Sequence, residues 1–405
     1  MKKKLIYCMT VLMLIFGGGI GWYEYYKAVV PDALTIRYGS REQFDLSIPA
    51  LINIPGSEEW CSLLQPFSMT ADQTGTYEMP VRLLGIIPLK TIEVQAVTER
   101  YAIPCGCPVG IYMKTDGVMV IDTVSLIDKN GNEVSPTANV LQTGDYILAV
   151  DGRPITEKEE LSAAVDQGMG QRMILTLRRK GEVIDVAYTP AEVTNGVYKA
   201  GVWVRDDMQG IGTLTYISDG SYGALGHGVN DADTGLLVEA SEGELHKAKV
   251  LGIEKGDIGN PGSVVGSVDY SEQGILGTIE KNTECGIMGR IYDPEDVAGE
   301  KDQVPYPVGY KQDAYIGKAA IWSDVSGELK EYEVEITAIH MGGSQSTKGI
   351  ELYVTDPELI ALTGGIIQGM SGSPIIQNGR LIGAVTHVFV KDPTRGYGIF
   401  LEEMM

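Results

Sequence analysis

Positive charge is what this chain has least of. Its 32 Lys and Arg face 54 Asp and Glu, a formal net charge of −22 over 405 residues. Such a surface repels phosphate backbones and anionic headgroups, which argues against nucleic acid as a partner. Histidine is almost as scarce: none of the four sits in H-E-x-x-H, so a zinc protease of that type is not expected. Of five cysteines, Cys8 lies in an apolar run, and Cys61, Cys105, Cys107 and Cys285 are scattered beyond it. Cys105-Gly106-Cys107 is not a C-x-x-C pair, and nothing supplies zinc-like spacing, so no metal or cofactor is expected. A disulfide is possible in an exported chain, but these four cysteines do not make a framework. Long apolar runs are missing after Trp22, so everything beyond it should be soluble.

The first residues therefore stand out. Lys2, Lys3 and Lys4 precede an uncharged, mostly apolar run from Leu5 to Trp22, with Tyr23, Tyr25 and Tyr26 at its far end. This pattern predicts a signal-anchor over residues 1–27, with the remaining chain outward of the membrane. The 51 glycines and the many short Val, Ile, Thr and Tyr runs predict a mainly β protein. Residues 28–102 read as a β-rich region or stalk without visible chemistry. Residues 103–192 read as two strands around an Asp116-Gly117 turn, then "LQTGDYILAVDGRPIT". A helix follows with a Thr156/Glu159 capping box, and Leu161, Ala164 and Val165 on one face.

That order resembles a bacterial PDZ domain, an α+β module. The resemblance puts Val109, Gly110 and Ile111 at the carboxylate-binding loop, where a peptide C-terminus would add as a strand beside the helix. The alternative is an αβ module without a ligand.

Residues 195–405 carry the chemistry. Gly369-Met370-Ser371-Gly372-Ser373-Pro374 has the pattern found around the nucleophile of chymotrypsin-type serine proteases. Glycines there allow N–H groups, here those of Gly369 and Ser371, to converge on an oxyanion. Asn378-Gly379 marks a hairpin that would support the loop. A serine needs a base. His227, in the glycine-rich "SYGALGHGVND", is the first choice, with His387 second, ahead of His246 and His340. For the orienting acid, Asp356, Asp231 and Asp233 are not separable on chemistry, and Asp356-Pro357-Glu358 also reads as a helix start.

"YGALGH", "GILGTIEKNTECGIMG" and "VTDPELIALTGGIIQGMSGSPIIQNGRLIGAVTHVFV" resemble the stage IV sporulation protein B peptidases of endospore-forming bacteria. The resemblance implies a C-terminal chymotrypsin-like, β-barrel-type domain with Ser371 as nucleophile, His227 as base and Asp356 as acid. It further implies export from the forespore into the space between the two spore membranes, and self-cleavage that frees the protein from its anchor. The substrate would be the extracytoplasmic part of a membrane-bound regulator, whose loss releases an intramembrane protease that activates a late sigma factor. Two other readings remain open: a PDZ-type scaffold with a silent β-domain, and a cysteine enzyme using Cys285.

Overall fold

The computed structural model describes residues 17–54, 60–298, 304–342 and 346–405. Residues 17–29 are helical, and among the described residues no helix is long and apolar enough to cross a membrane. The first 16 residues of the expected anchor lie outside those described.

Alternation builds the N-terminal region. Along Ala33–Arg37, Gly75–Leu83 and Ile87–Val97, every second side chain (Leu34 and Ile36; Met79, Val81 and Leu83; Ile92, Val94 and Ala96) is buried on one face. These strands, with Ala50–Asn53 and Trp60–Ser62, form a five-stranded sheet in which Ala33–Arg37 runs parallel to Ile87–Val97. Phe44 and Phe67 stack beneath it at 5.5 Å.

The remaining chain makes two six-stranded barrels. In the first, Pro108–Thr123 pairs with Ala240–Glu254, then Ile275–Thr283, Gly286–Ile291, Ser221–Ala224 and Val202–Ser218 follow, and the last returns to Pro108–Thr123. Val109, Ile111, Met113, Leu214, Leu245 and Ile287 fill it. The second closes through Gly317–Ser323, Lys330–Ile339, Ile350–Val354, Asp392–Phe400, Arg380–Phe389 and Pro374–Gln377, around Ile321, Val334, Leu352, Ile375 and Phe400. Closure leaves no free sheet edge in either. A seam containing Tyr216, Tyr310, Leu381, Ile399 and Leu401 joins them, and the Tyr216 hydroxyl donates to the Met404 carbonyl at 2.7 Å.

The domain boundaries differ from those read in the sequence. The expected Asp116-Gly117 turn is absent: Pro108–Thr123 is one continuous strand, with Gly117 at φ 90°. Its first half belongs to the first barrel. Its second half pairs with Tyr146–Val150 and packs into a separate core with Leu161, Val165, Leu175 and Tyr188. A Cβ on Gly117 would stand 2.7 Å from the Ile147 carbonyl oxygen, so the glycine serves close approach. The αβ module thus interrupts the first barrel, which begins well before residue 195. Its helix, Lys158–Gln167, is capped by Glu157 and Glu160 in place of the expected Thr156/Glu159 pair, and the Thr156 N–H donates to Glu160 at 2.8 Å.

Candidate active site

The serine loop is held by backbone from both barrels. The helix Pro357–Thr363 ends at Gly364, in the left-handed conformation at φ 83°, and the chain then loops to the Pro374–Gln377 strand. Asn378 and Gly379, at φ 49° and 70°, close the hairpin behind it. Gly369 and Gly372 both take φ 101°, which favours glycine. From the first barrel, the Thr213 N–H donates to the Ser371 carbonyl at 3.1 Å, and the Thr213 hydroxyl donates to the Gly369 carbonyl at 2.7 Å. A Cβ on Gly372 would lie 2.1 Å from the Thr213 carbonyl oxygen. The glycines are there because two backbones touch. Among the described bonds, the N–H groups of Gly369 and Ser371 have no protein acceptor, which is what an oxyanion site needs.

His227 arrives from the first barrel. The Ser221–Ala224 strand ends in Leu225 and Gly226, both left-handed at φ 71° and 69°. A leucine held there is a strained feature of a kind that clusters at functional sites. His227 Nδ1 lies 2.9 Å from the Gly228 carbonyl oxygen. A carbonyl only accepts, so Nδ1 carries the proton and Nε2 keeps its lone pair. Burial lowers the His227 pKa from its ordinary value, and the Gly228 carbonyl opposes this in part. The shift favours the neutral imidazole, in the tautomer a general base requires. Gly228 does not loosen this joint. A Cβ there would stand 2.3 Å from Leu237 Cδ1 and 2.7 Å from the Thr283 carbonyl oxygen.

Ser371 and His227 line one groove of about 550 Å³, with Gly369, Gly212, Gln368 and His387 among its walls. In this resting arrangement the Ser371 hydroxyl donates to the Thr386 carbonyl at 2.8 Å rather than to the imidazole. The His387 ring lies 5.3 Å from that of His227. Desolvation in the groove, with a smaller contribution from the Lys348 charge and from His227 when protonated, pushes the His387 pKa down to about 4, although much of the residue meets solvent. The other two histidines are elsewhere. His246 is buried between the Asp269 carbonyl and Glu244, and His340 faces Glu351.

The structure does not bring Asp356 to His227. Asp356 caps the Pro357–Thr363 helix, accepting from the N–H groups of Glu358 at 2.9 Å and Leu359 at 3.0 Å, while its second oxygen accepts from Glu333 at 3.3 Å. The four unsatisfied N–H groups of a helix start attract such a carboxylate. Asp231 and Asp233 both pair with Arg205. The Gly228 carbonyl holds the place at Nδ1 that the acid would take.

Val109, Gly110 and Ile111 are also misplaced by the sequence reading. They form no loop. They sit near the start of the Pro108–Thr123 strand of the first barrel, paired on both sides, and Gly110 aligns with both Ile211 and His246. Val109 and Ile111 are buried. The strand position beside the module's helix is filled by the chain itself, because Val202–Arg205 pairs with residues 119–123 and the Tyr198 N–H approaches Asp166 at 3.4 Å. Cys61, Cys105 and Cys107 are free thiols. Burial pushes the Cys107 thiol up to about 12.

Thr213 and Thr386, which fix the serine loop and its hydroxyl, were not recognised from the sequence. Each is an ordinary strand residue in an apolar run, with no local signal of its partner.

The comparison with curated proteins gives no match. Among solved structures, the PDZ domain of an SdrC-like protein from Listeria monocytogenes is similar at 21% identity, over 22% of this chain and 87% of that one, with a TM-score of 0.18. That overlap is too small to carry a fold assignment. The sequence model of the SpoIVB peptidase S55 family matches residues 196–405, just over half of the chain and inclusive of both His227 and Ser371. The chain belongs to the SpoIVB peptidase S55 family.

Proposed function

We propose that this peptidase is a sporulation serine endopeptidase in which Ser371 is the nucleophile and His227 the general base. The observation that carries the reading is the convergence of the two residues, one from each barrel, on a single groove. A bound peptide draws the Ser371 hydroxyl away from the Thr386 carbonyl and toward His227 Nε2. As Oγ attacks the scissile carbonyl carbon, Nε2 takes its proton, and the N–H groups of Gly369 and Ser371 receive the oxyanion. The imidazolium leans on the Gly228 carbonyl and returns the proton to the leaving amine. Water then attacks the acyl-enzyme by the same route, releasing the acid and restoring Ser371. A backbone carbonyl orients the ring but carries no full charge to steady the imidazolium, so this arrangement works as a dyad.

The protein substrate we assign is the extracytoplasmic part of a membrane-bound regulator. The enzyme is anchored at the forespore membrane and freed by its own cut. Cutting the regulator releases an intramembrane protease that activates a late sigma factor. Resemblance to the family supports this part of the reading. Peptide capture by the PDZ-like module would require residues 197–205 to leave their place beside its helix. A fluorophosphonate probe followed by peptide mapping tests the chemistry. Label on Ser371 is expected. An unlabelled, folded protein would mean a silent scaffold, and thiol sensitivity without serine label would point to Cys285.

A further inference from the structure

The hairpin between Gly75–Leu83 and Ile87–Val97 ends in Leu83-Leu84-Gly85-Ile86-Ile87-Pro88-Leu89, seven residues without a charge. Leu84 is 57% and Ile86 76% exposed, and Ile87 is exposed as well. Consecutive exposed apolar residues are a defect in a soluble hairpin unless they serve contact. The turn makes the choice stranger. Leu84 and Gly85 take φ 50° and 78°, the left-handed pair of a type I′ turn, where Asn-Gly is natural and leucine is strained. Local structure would favour a polar residue, and solvent would too. Leucine stands there against both.

The position of the hairpin explains it. The Tyr23 hydroxyl donates to the Pro88 carbonyl at 3.2 Å, and Lys90 Nζ donates to the Val30 carbonyl at 2.7 Å. The helix from Val30 back to Tyr23 therefore runs the same way as the strand from Lys90 back to Pro88. With a rise of ~1.5 Å per helical residue and ~3.3 Å per strand residue, the tip at Gly85 is level with about the first described turn of the helix. Ile20, Trp22 and Tyr25 are exposed on that helix. Leu64 is exposed at the same end of the sheet, since the Leu84 N–H donates to the Pro49 carbonyl and the Leu63 N–H to that of Ala50. One end of the N-terminal sheet thus presents an apolar tip beside the helix that continues the Leu5–Trp22 run.

We propose that this end is a bilayer-docking surface, with Leu84, Ile86 and Ile87 seated in the interface of the membrane that the N-terminal run enters. The inference rests on the reading of that run as an anchor. A tip at the depth of residues 17–20 would lie among headgroups and upper acyl chains, where Trp and Tyr rings also settle. Two points of attachment, helix and hairpin, would fix the N-terminal sheet against the membrane rather than let it swing on a single tether. A cut between the helix and Ala33 would leave the hairpin as a weak remaining contact.

Photocrosslinking in vesicles tests this. Full-length Ser371→Ala protein, which cannot shorten itself, is reconstituted into phosphatidylcholine vesicles carrying a diazirine on the acyl chain. Adducts are then mapped by mass spectrometry. Adducts are expected on residues 83–87 and on the N-terminal helix, with none on the Glu182–Tyr188 strand, where Val183 is 64% exposed. Leu84→Asn with Ile86→Ser should lower hairpin adducts at least five-fold. N-terminal adducts should be unchanged and the unfolding temperature equal or higher, because Asn suits the left-handed turn. Adducts on the N-terminus alone would overturn the docking surface and leave the anchor standing. Adducts on neither segment would overturn both. Lipid-independent crosslinking of the tip to a second copy would assign the surface to self-association instead.

Discussion

The two barrels contribute unequally to one site. The second, among the described residues from Gly317 to Phe400, carries no inserted module and brings the serine loop between its own helix and hairpin. The first is interrupted by an inserted module and brings a histidine oriented by the carbonyl of its own neighbour. The two proposed reacting groups thus come from different halves. Thr213 of the first barrel holds both carbonyls that flank Met370, so the oxyanion site of the second is an interface property. The contact that assembles the site couples the barrels directly.

Four measurements bear on this division of labour. The largest effect belongs to the reacting pair. Ser371→Ala or His227→Ala should each lower turnover by roughly four orders of magnitude, with the fold intact by circular dichroism. Ser373→Ala should matter little, because the Ser373 hydroxyl is buried without a partner among the described residues. Activity lost in Ser373→Ala and kept in Ser371→Ala would move the nucleophile.

Next comes the coupling itself. Thr213→Val keeps the shape and removes the hydroxyl that holds the Gly369 carbonyl. A loss of about 1–1.5 kcal/mol, roughly tenfold, is expected in kcat with KM nearly unchanged, and Thr213→Ser should recover most of it. An equal rise in KM, or no effect at all, would show that the second barrel shapes its loop unaided.

Asp356 separates the helix cap from the triad acid. Asp356→Ala removes a cap from the helix leading into the loop and should cost about 1 kcal/mol of stability in urea unfolding. Asp356→Asn keeps the cap but loses the oxygen that accepts from the Glu333 N–H, so it should cost at most about 1 kcal/mol of stability and keep turnover. A stable but inactive Asp356→Asn enzyme would mean that the carboxylate reaches His227 during catalysis, in an arrangement other than this one.

The smallest expected effect is a shift along the pH axis. The base acts when neutral, and burial lowers the His227 pKa, so the acid limb of kcat/KM should lie below the ordinary value of about 6.5. A limb above that value would mean that the active imidazole is stabilised as a cation, as a carboxylate would do and a desolvated groove with a carbonyl would not.

Much of the site was legible because its signals are local. Glycines flank Ser371 and His227 wherever backbone must bend or approach closely, and Asn378-Gly379 names its own turn. Asp356 shows the limit: the residues around it read equally as an acid after a strand or as a cap before a helix, and the free N–H groups of the helix decided it. Asp116-Gly117 failed for a similar reason. Asp-Gly permits a turn, yet the strand passes straight through, because that glycine answers to the Ile147 carbonyl on another strand.

By itself the sequence singled out the proposed nucleophile and base, the alternating sheets and the uncharged N-terminal run, since each is written in residues within a few positions of one another. Only the tertiary structure decided that Thr213 clamps a loop 156 positions away, that Gly228 stands where an acid was expected, and that Val109 to Ile111 belong to a barrel. Closed barrels place their interface contacts by strand register and hydrogen-bond geometry, and those pairings leave no trace in the local pattern of either partner.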